Sequence, residues 1–357
     1  MTIPPTTTTT PSSTQNPHHP PSQPPLHTLL STHDFLSAAS LSFPPKTHAF
    51  VTSAATDLVT HRSNSHTYSL ITLRPRILRD VSQVSIRTTI LGHPVSSPIF
   101  AAATSLGITV HPEGEKEIGR ACKRLGVGMT VSTSASFSIQ EIAGVVRETK
   151  TDGEDGQKEI PLWFQLYVDK DRSKSERLLR QACEAGVKAV FLTVDAPVPG
   201  KREADERISA SEAVGLSAGV VPMTGEKAEN DKSGGGLGRI TGKFVDASVQ
   251  WGDIAWLRKC LPEEVKVVLK GVQTAADAVR AMEAGVEGIV VSNHGGRSLD
   301  TAPATILVLL ELQRCCPEVF DRMEVLIDGG VNARDGCTVE EEHPYAKWRP
   351  SMRKKAA

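Results

Sequence analysis

The chain has 357 residues, a formal net charge of −1, 39% hydrophobic residues and 23% charged residues. This length suits two average domains or one α/β barrel, and the composition is that of a globular protein. The balanced charge gives no reason to expect nucleic acid or a membrane surface as a partner. No apolar run approaches the roughly 18 residues of a membrane-spanning helix, and no secretory signal is visible.

The N-terminal segment, residues 1–26, is predicted to be a disordered tail. It holds eight of the 23 prolines and a threonine run from Thr6 to Thr10, so it cannot bury enough apolar surface to offset ordering. Its His18 and His19 have no further ligand at a suitable spacing, and no metal site is expected. The six cysteines show no CxxC spacing, which predicts reduced, structural thiols rather than zinc ligands or disulfides.

From about residue 94 a unit of helix, glycine and strand recurs. Each predicted helix is followed by Gly-Val, and glycine is the usual residue after a last helical turn. The predicted helices are Ile118–Leu125, Ser173–Ala185 and Ala275–Ala284. The predicted strands are Ser97–Ala102, a strand ending at Ser132, Leu162–Tyr167, Ala189–Val194, Val265–Leu269, Gly288–Val291 and Glu324–Ile327. Strands that alternate with helices in this way indicate a parallel sheet.

Polar residues end nearly every predicted strand, and this favours a closed barrel over an open sheet. In a (β/α)8 barrel the carboxyl ends of the strands converge on one mouth, whereas an open sheet spreads them along an edge. The segment Val290–Arg297 is the most informative example, because an apolar run ends in His294, two glycines and Arg297. Histidine can exchange a proton near neutral pH, the glycines leave room for a ligand, and the planar guanidinium of arginine binds anions. Their combination indicates an active site.

Residues 198–250 are predicted to be a long insertion after the fourth strand. Loops of this length in compact domains are usually lids or flexible segments. The glycines from Gly234 to Gly238 do not form a phosphate-binding loop, because Leu237 breaks the spacing and Phe244 follows Lys243.

Eight motifs in chain order resemble the FMN-dependent α-hydroxy acid oxidase/dehydrogenase family, which includes glycolate oxidase, lactate oxidase and the lactate dehydrogenase flavocytochromes. The resemblance extends from about Phe35 to Val331. Its motifs are Arg74–Val81, His111–Glu115, Phe164–Val168, Thr193–Pro197, Gly200–Asp205, Leu269–Val272, Ser292–Asp300 and Asp328–Val331. It implies a TIM (β/α)8 barrel that uses FMN to oxidise a small (S)-2-hydroxy acid to the 2-keto acid, with oxygen or another electron acceptor.

The resemblance also implies roles for the strand-end residues around the substrate. His294 would take the substrate proton, and Asp195 would stabilise the imidazolium that forms. Arg297 would bind the substrate carboxylate with help from Tyr167, while Arg202 would add positive charge at the mouth.

Further residues would bind the cofactor. Lys270 would face the N1/O2 edge of the flavin and favour its anionic reduced form. The remaining implied contacts to the isoalloxazine, ribityl and phosphate groups come from Ser132, Gln165, Thr193, Ser292, Asp328, Gly329, Gly330 and Arg334.

Several positions depart from the family pattern. Phe50, assigned to the substrate site, stands where the family usually has a tyrosine that hydrogen-bonds the substrate carboxylate, and Ala103 replaces a common proline. Asn332 stands in place of an arginine for the FMN phosphate, which Arg334 could replace through a shifted loop.

The resemblance stops after Val331. Residues 338–357 form a charged, proline-broken tail in which no eighth strand is visible. We therefore expect a barrel domain over residues 27–337 whose eighth βα unit is missing or altered, in a truncated family member that binds FMN weakly or not at all.

Two other functions stay open. A catalytically inactive relative could act as a binding or regulatory protein. A phosphate-binding barrel of the inosine monophosphate dehydrogenase type would need a catalytic loop cysteine, and no cysteine lies at a suitable strand end. The ending from Lys354 to Ala357 is not a peroxisomal signal, so a cytoplasmic protein is expected, and it could form a homo-oligomer.

Overall fold

The computed structural model describes residues 24–151, 159–209, 224 and 236–331. The chain separates into two units, Met1–Phe43 and Pro44–Ala357. In the first unit the described residues form a 3-10 turn, Leu26–Thr28, and helix α1, Thr32–Ser42. The side chains of Ser31 and Asp34 cap the N-terminus of α1 reciprocally. Most of the predicted tail, residues 1–23, lies outside the described residues.

The second unit is built on a sheet of seven parallel strands that follow one another in chain order. A two-stranded antiparallel hairpin precedes this sheet. The hairpin strands are β1 (Thr88–Ile90) and β2 (His93–Val95). The parallel strands are β3 (Phe100–Ala101), β4 (Gly128–Ser132), β5 (Leu162–Leu166), β6 (Ala189–Thr193), β7 (Lys266–Val272), β8 (Gly288–Val291) and β9 (Glu324–Ile327).

Helices connect successive parallel strands, as the recurring unit in the sequence predicts. Two further helices, α2 and α3, precede the hairpin. The helices are α2 (Pro45–Thr52), α3 (Val59–Ser69), α4 (Gly114–Leu125), α5 (Ile139–Glu148), α6 (Arg172–Glu184), α7 (Glu203–Glu206), α8 (Ile240–Phe244), α9 (Asp253–Lys259), α10 (Ala275–Glu283), α11 (Thr305–Cys315) and α12 (Val319–Arg322). Among the described residues, no helix has the length and apolar character needed to cross a membrane.

The strands are buried on both faces, and alternate residues enter two separate apolar clusters. Val190 and Leu192 of β6 pack in the larger cluster beneath the helices, whereas Phe191 packs on the opposite face. There Phe191 stacks on Trp163, with ring centroids 5.5 Å apart. Ile90 of the hairpin belongs to this second cluster. This layering is that of the TIM-barrel family, in which inward side chains fill the barrel.

The observed strands differ from the predicted ones at the start of the sheet and in β7. Only Phe100 and Ala101 of the first predicted strand pair with β4. Strand β7 continues to Val272, and its register against β8 shifts between Lys270 and Val272, where Gly271 forms a bulge. The predicted place of the altered eighth βα unit, residues 332–357, lies outside the described residues.

The predicted insertion, residues 198–250, contains regular structure at both of its ends. Helix α7 follows the fourth strand of the parallel sheet, and a 3-10 turn, Leu237–Arg239, leads into α8. An isolated bridge between Asp169 and Val245 attaches the end of this segment to the loop after β5. Residues 210–223 and 225–235 lie outside the described part of the chain.

Candidate active site

Polar side chains from β4, β5 and β6 form a hydrogen-bonded row at the carboxyl edge of the sheet. The Ser132 hydroxyl donates to Oε1 of Gln165 over 3.2 Å, and Nε2 of Gln165 donates to Oγ1 of Thr193 over 3.0 Å. All three residues are buried. Because carboxyl ends of parallel strands share one edge, these three predicted residues come together although they are far apart in sequence.

Strand β7 adds a buried ammonium group beside this row. The Nζ atom of Lys270 donates to the Ser292 hydroxyl over 2.8 Å and lies 3.4 Å from Oδ2 of Asp328. It is 3.7 Å from Oδ2 of Asp195. Burial alone would lower the pKa of Lys270, but the carboxylates of Asp328 and Asp195 outweigh it and raise the pKa. Lys270 is therefore a fixed positive charge at neutral pH.

His294 lies between a carboxylate and a phenol. Its Nδ1 is 2.7 Å from Oδ1 of Asp195, and its Nε2 is 3.1 Å from the Tyr167 hydroxyl. Burial tends to raise the pKa of Asp195, but His294 and Lys270 prevail and lower it to about 2. Burial, reinforced by Asp195, raises the pKa of Tyr167. Tyr167 therefore stays protonated and can donate to Nε2, while Nδ1–H donates to the ionised Asp195.

The loop that carries the histidine has a constrained backbone. His294 has a φ of 58°, and Gly295 and Gly296 follow with φ values of 64° and 73°. A left-handed non-glycine residue is strained and persists only where its surroundings hold it. A Cβ on Gly296 would lie 2.7 Å from the backbone nitrogen of His61, and the Gly296 carbonyl accepts from the Ala55 N–H. Close packing from helix α3 and the segment before it therefore fixes the loop.

A pair of buried amides joins α3 to the same loop, and sequence reasoning missed its α3 member. Nδ2 of Asn64 donates to Oδ1 of Asn293 over 2.9 Å, and Nδ2 of Asn293 donates to Oδ1 of Asn64 over 2.7 Å. Oδ1 of Asn293 also accepts from the Gly296 N–H. Asn293 lies inside the motif Ser292–Asp300. The sequence around Asn64 gives no comparable signal, because an isolated polar residue in a helix is ordinarily solvated.

Gly271 is a second residue whose role was not predicted, although it lies in a quoted motif. It has a φ of 110°, and a Cβ there would lie 2.4 Å from the Cβ of Asp195. The Val194 N–H also donates to the Lys270 carbonyl. The bulge in β7 therefore lets Asp195 approach the backbone closely enough to reach His294. A glycine directly after a strand-end lysine is the signal that could have identified it.

Two arginines bring positive charge to the site. Nη2 of Arg297 donates to the Val51 carbonyl over 2.7 Å. Burial, followed by the charge of Arg297, lowers the pKa of Arg202 to about 10. The Nε atom of Arg202 is buried and has no hydrogen-bond partner among the described residues. The Phe50 ring lies 5.9 Å from its guanidinium. This arrangement suits an anion held between two like charges.

The predicted phosphate end of the site is described only in part. Gly329 and Gly330 have φ values of 89° and 81°, and a Cβ on Gly330 would lie 2.6 Å from the backbone of Asn64. The Thr305 hydroxyl donates to the Asp328 carbonyl over 2.6 Å. Packing against α3 thus accounts for the glycine at 330. Arg334, the expected phosphate contact, lies outside the described residues.

The residues present fit the ring system of a flavin. The row on β4 to β6 offers hydroxyl and amide groups, and Lys270 offers a cation for an electron-rich ring edge. Oδ1 of Asp328 is buried without a hydrogen-bond partner in the described part of the chain. Buried polar atoms are normally satisfied, so an unpaired acceptor here is consistent with a polar ligand at this edge.

Comparisons with known proteins point in the same direction. Residues 39–336 match the family described as FMN-dependent dehydrogenase. The chain is 39% identical to an L-lactate dehydrogenase (cytochrome) of Saccharomyces cerevisiae, over 86% of this chain and 50% of that protein. It is 37% identical to a peroxisomal (S)-2-hydroxy-acid oxidase of Oryza sativa subsp. japonica, over 85% of this chain and 77% of that protein.

A solved structure shares the fold. The recombinant flavin-binding domain of baker's yeast flavocytochrome b2 superimposes with a TM-score of 0.72 and 36% identity, over 87% of this chain and 71% of that chain. The chain spans about half the length of the two yeast-type lactate dehydrogenases that it matches.

Proposed function

Because the chain belongs to the FMN-dependent dehydrogenase family, we propose that it oxidises a small (S)-2-hydroxy acid to the corresponding 2-keto acid. FMN, when bound, would supply the acceptor for the two electrons that leave the substrate and for the hydrogen that His294 does not take, and oxygen or another acceptor would reoxidise it. Relatives whose names carry hydroxy acid or lactate oxidation support this reaction class.

The observation that carries the proposal is the pairing of His294 with Asp195. Nδ1–H of His294 donates to Asp195, which leaves the lone pair of Nε2 free to accept, and in this structure it faces the Tyr167 hydroxyl. Nε2 would accept a proton from the substrate, and the imidazolium formed would lie against a buried, ionised carboxylate. Such a partner stabilises positive charge as it develops. The Tyr167 hydroxyl, which contacts Nε2 in this structure, would rotate and donate its hydrogen bond to the substrate instead.

The arginines would orient the substrate by its carboxylate. Burial, followed by the charge of Arg297, lowers the pKa of Arg202 when no anion is bound. A substrate carboxylate would relieve this repulsion and accept charge-assisted hydrogen bonds. With the carboxylate held there, the α-carbon would lie toward Nε2 of His294.

Lys270 and the polar row would hold the flavin ring. The ammonium of Lys270, fixed by Ser292, Asp328 and Asp195, is the cation expected to stabilise negative charge on the ring edge. Ser132, Gln165 and Thr193 would hydrogen-bond the ring, and Asp328, Gly329 and Gly330 would contact the ribityl and phosphate groups.

The test is anaerobic reduction of the FMN-loaded protein by glycolate or L-lactate, followed by the flavin absorbance. We expect bleaching in the wild-type protein. In His294→Ala we expect unchanged FMN content but bleaching slower by a factor of 100 or more, in line with the usual contribution of general bases. Wild-type protein that binds FMN without bleaching would refute the enzyme and favour a binding or regulatory relative. Wild-type protein that does not bind FMN would also refute the enzyme.

A further inference from the structure

Helix α2 contacts the segment after β6 through a fully buried ion pair. The Nζ atom of Lys46 lies 2.6 Å from Oδ1 of Asp205, and the two side chains are 0% and 1% exposed. The same Nζ donates to the carbonyl oxygens of Asp205 and Ile208, over 2.6 and 3.0 Å. The other carboxylate oxygen of Asp205, Oδ2, accepts from the Gly238 N–H over 3.0 Å. The lysine head is thus surrounded by oxygen atoms.

A buried ion pair of this kind needs an explanation other than stability. Desolvation of two charges often costs as much as their attraction returns, and apolar residues of similar volume can do equally well. Lys46 is among the largest side chains with complete burial in the described chain. A charge retained at such a position points to an electrostatic task.

The neighbour of this ion pair is Arg202. Asp205 lies three residues after Arg202. Burial and Arg297 lower the pKa of Arg202, and the charge of Asp205 opposes them. A Cβ on Gly238, the residue that donates to Asp205, would lie 3.2 Å from both Cζ and Nε of Arg202. Phe50, one helical turn after Lys46, covers the guanidinium from another side. Helix α2 therefore contacts Asp205 and Arg202 at successive turns.

We propose that Lys46 is a positioning residue that keeps the carboxylate of Asp205 away from Arg202, so that Arg202 stays available to bind the substrate carboxylate. The inference rests on the proposed function, since it names the anion that Arg202 binds. Without Lys46, Asp205 would lose the cation that lies against its carboxylate, and its charge would act on Arg202 uncompensated. An intramolecular carboxylate at that position would compete with the substrate at every concentration.

The experiment compares Lys46→Met with the double variant Lys46→Met/Asp205→Asn, both loaded with FMN. Methionine keeps the volume of the lysine stem and removes its charge. We expect Lys46→Met to raise the KM for a 2-hydroxy acid and the Kd for oxalate by about tenfold or more, with kcat within about twofold. The double variant, which also removes the competing carboxylate, is expected to recover the oxalate Kd to within about threefold of wild type.

A matched control lies on the same helix. The Thr47 hydroxyl donates to the Thr109 carbonyl, and both residues are buried. Thr47→Val removes a buried contact of α2 without changing charge, so it is expected to lower the unfolding temperature and leave the oxalate Kd unchanged. A loss of oxalate affinity in Thr47→Val equal to that in Lys46→Met would show that α2 acts only as a scaffold and overturn the proposal.

The remaining outcomes are also decisive. Failure of the double variant to recover oxalate affinity would overturn the proposal, and it does so even if Lys46→Met alone does not fold. If wild-type protein binds oxalate but does not oxidise 2-hydroxy acids, the proposed function fails and the oxalate affinities still judge the role of Lys46. Wild-type protein that does not bind oxalate, measured by calorimetry, would refute the role of Lys46 directly.

Discussion

The contribution of Asp195 to folding can be worked out from its pKa in the folded protein. In the folded protein its pKa falls from an ordinary 3.8 to about 2, because His294 and Lys270 outweigh the effect of burial. That difference corresponds to about 2 kcal/mol of folding free energy at neutral pH. Asparagine has nearly the same shape as the protonated acid, so Asp195→Asn should lose this amount.

The sign of the pH dependence follows from the direction of the change. A lowered pKa stabilises the folded state fully above 3.8, and the stabilisation disappears as pH falls from 3.8 through about 2. The free energy of unfolding of the wild-type protein should therefore exceed that of Asp195→Asn by about 2 kcal/mol at pH 7 and at pH 5. Near pH 3 the difference should be roughly half as large. Urea unfolding of the cofactor-free proteins measures both differences.

The loss of this carboxylate should also slow flavin reduction. A hydrogen bond to a charged group contributes about 1.5–3 kcal/mol, so without it beside the imidazolium proposed for His294 the rate should be slower by about 10-fold or more. Stopped-flow absorbance under exclusion of oxygen measures it. Asp321→Asn, at an exposed position of α12, is the control and should change neither quantity. A stability gap that widens toward pH 3, or an unchanged reduction rate, would refute the reasoning.

Three further substitutions test other parts of the site. Asn64→Ala removes both hydrogen bonds between Asn64 and the buried amide of Asn293 and should lower the free energy of unfolding in urea by about 1–3 kcal/mol; an unchanged midpoint would contradict this. Phe50→Tyr adds a hydrogen-bond donor for the substrate carboxylate and should lower KM by roughly 10-fold or more in steady-state assays. An equal or higher KM would show that the ring at position 50 does not contact the substrate carboxylate. Gly271→Ala puts a Cβ 2.4 Å from that of Asp195 at a φ of 110°, so the folded yield and the reduction rate should both fall; a variant with wild-type values for both would refute the close approach.

Much of the fold could be predicted because the sequence repeats a local pattern. Helix, glycine and buried strand recur with little variation, and parallel strands necessarily bring their carboxyl ends together. This is why Gln165, Thr193 and Lys270 were predicted as neighbours and lie within one edge of the sheet. The first strand was predicted too long, because only Phe100 and Ala101 find ladder partners on β4.

The supporting contacts could not be predicted, because they join residues distant in sequence and lack a local pattern. Lys46 and Asp205 are 159 residues apart along the chain, and Asn64 and Asn293 are 229 apart. A lysine or an asparagine in a helix is normally a solvated surface residue. Only the folded chain shows which ones are buried.

Some expectations drawn from the sequence stay predictions. These are the disordered tail at residues 1–26, the domain bounds 27–337, the contact of Arg334 with phosphate, the cytoplasmic location and the homo-oligomer. The missing or altered eighth βα unit falls in residues 332–357, outside the part of the chain that the structure describes.

Helix α3 has a consequence for how this site can vary. Through Asn64 it contacts both the loop that carries His294 and the backbone of Gly330. A shift of this helix would therefore displace the loop of His294 and the backbone at Gly330 together. Substitutions that displace α3 should therefore lower the affinity for FMN and the rate of proton removal together. We do not expect a substitution in this helix to improve one property at the expense of the other.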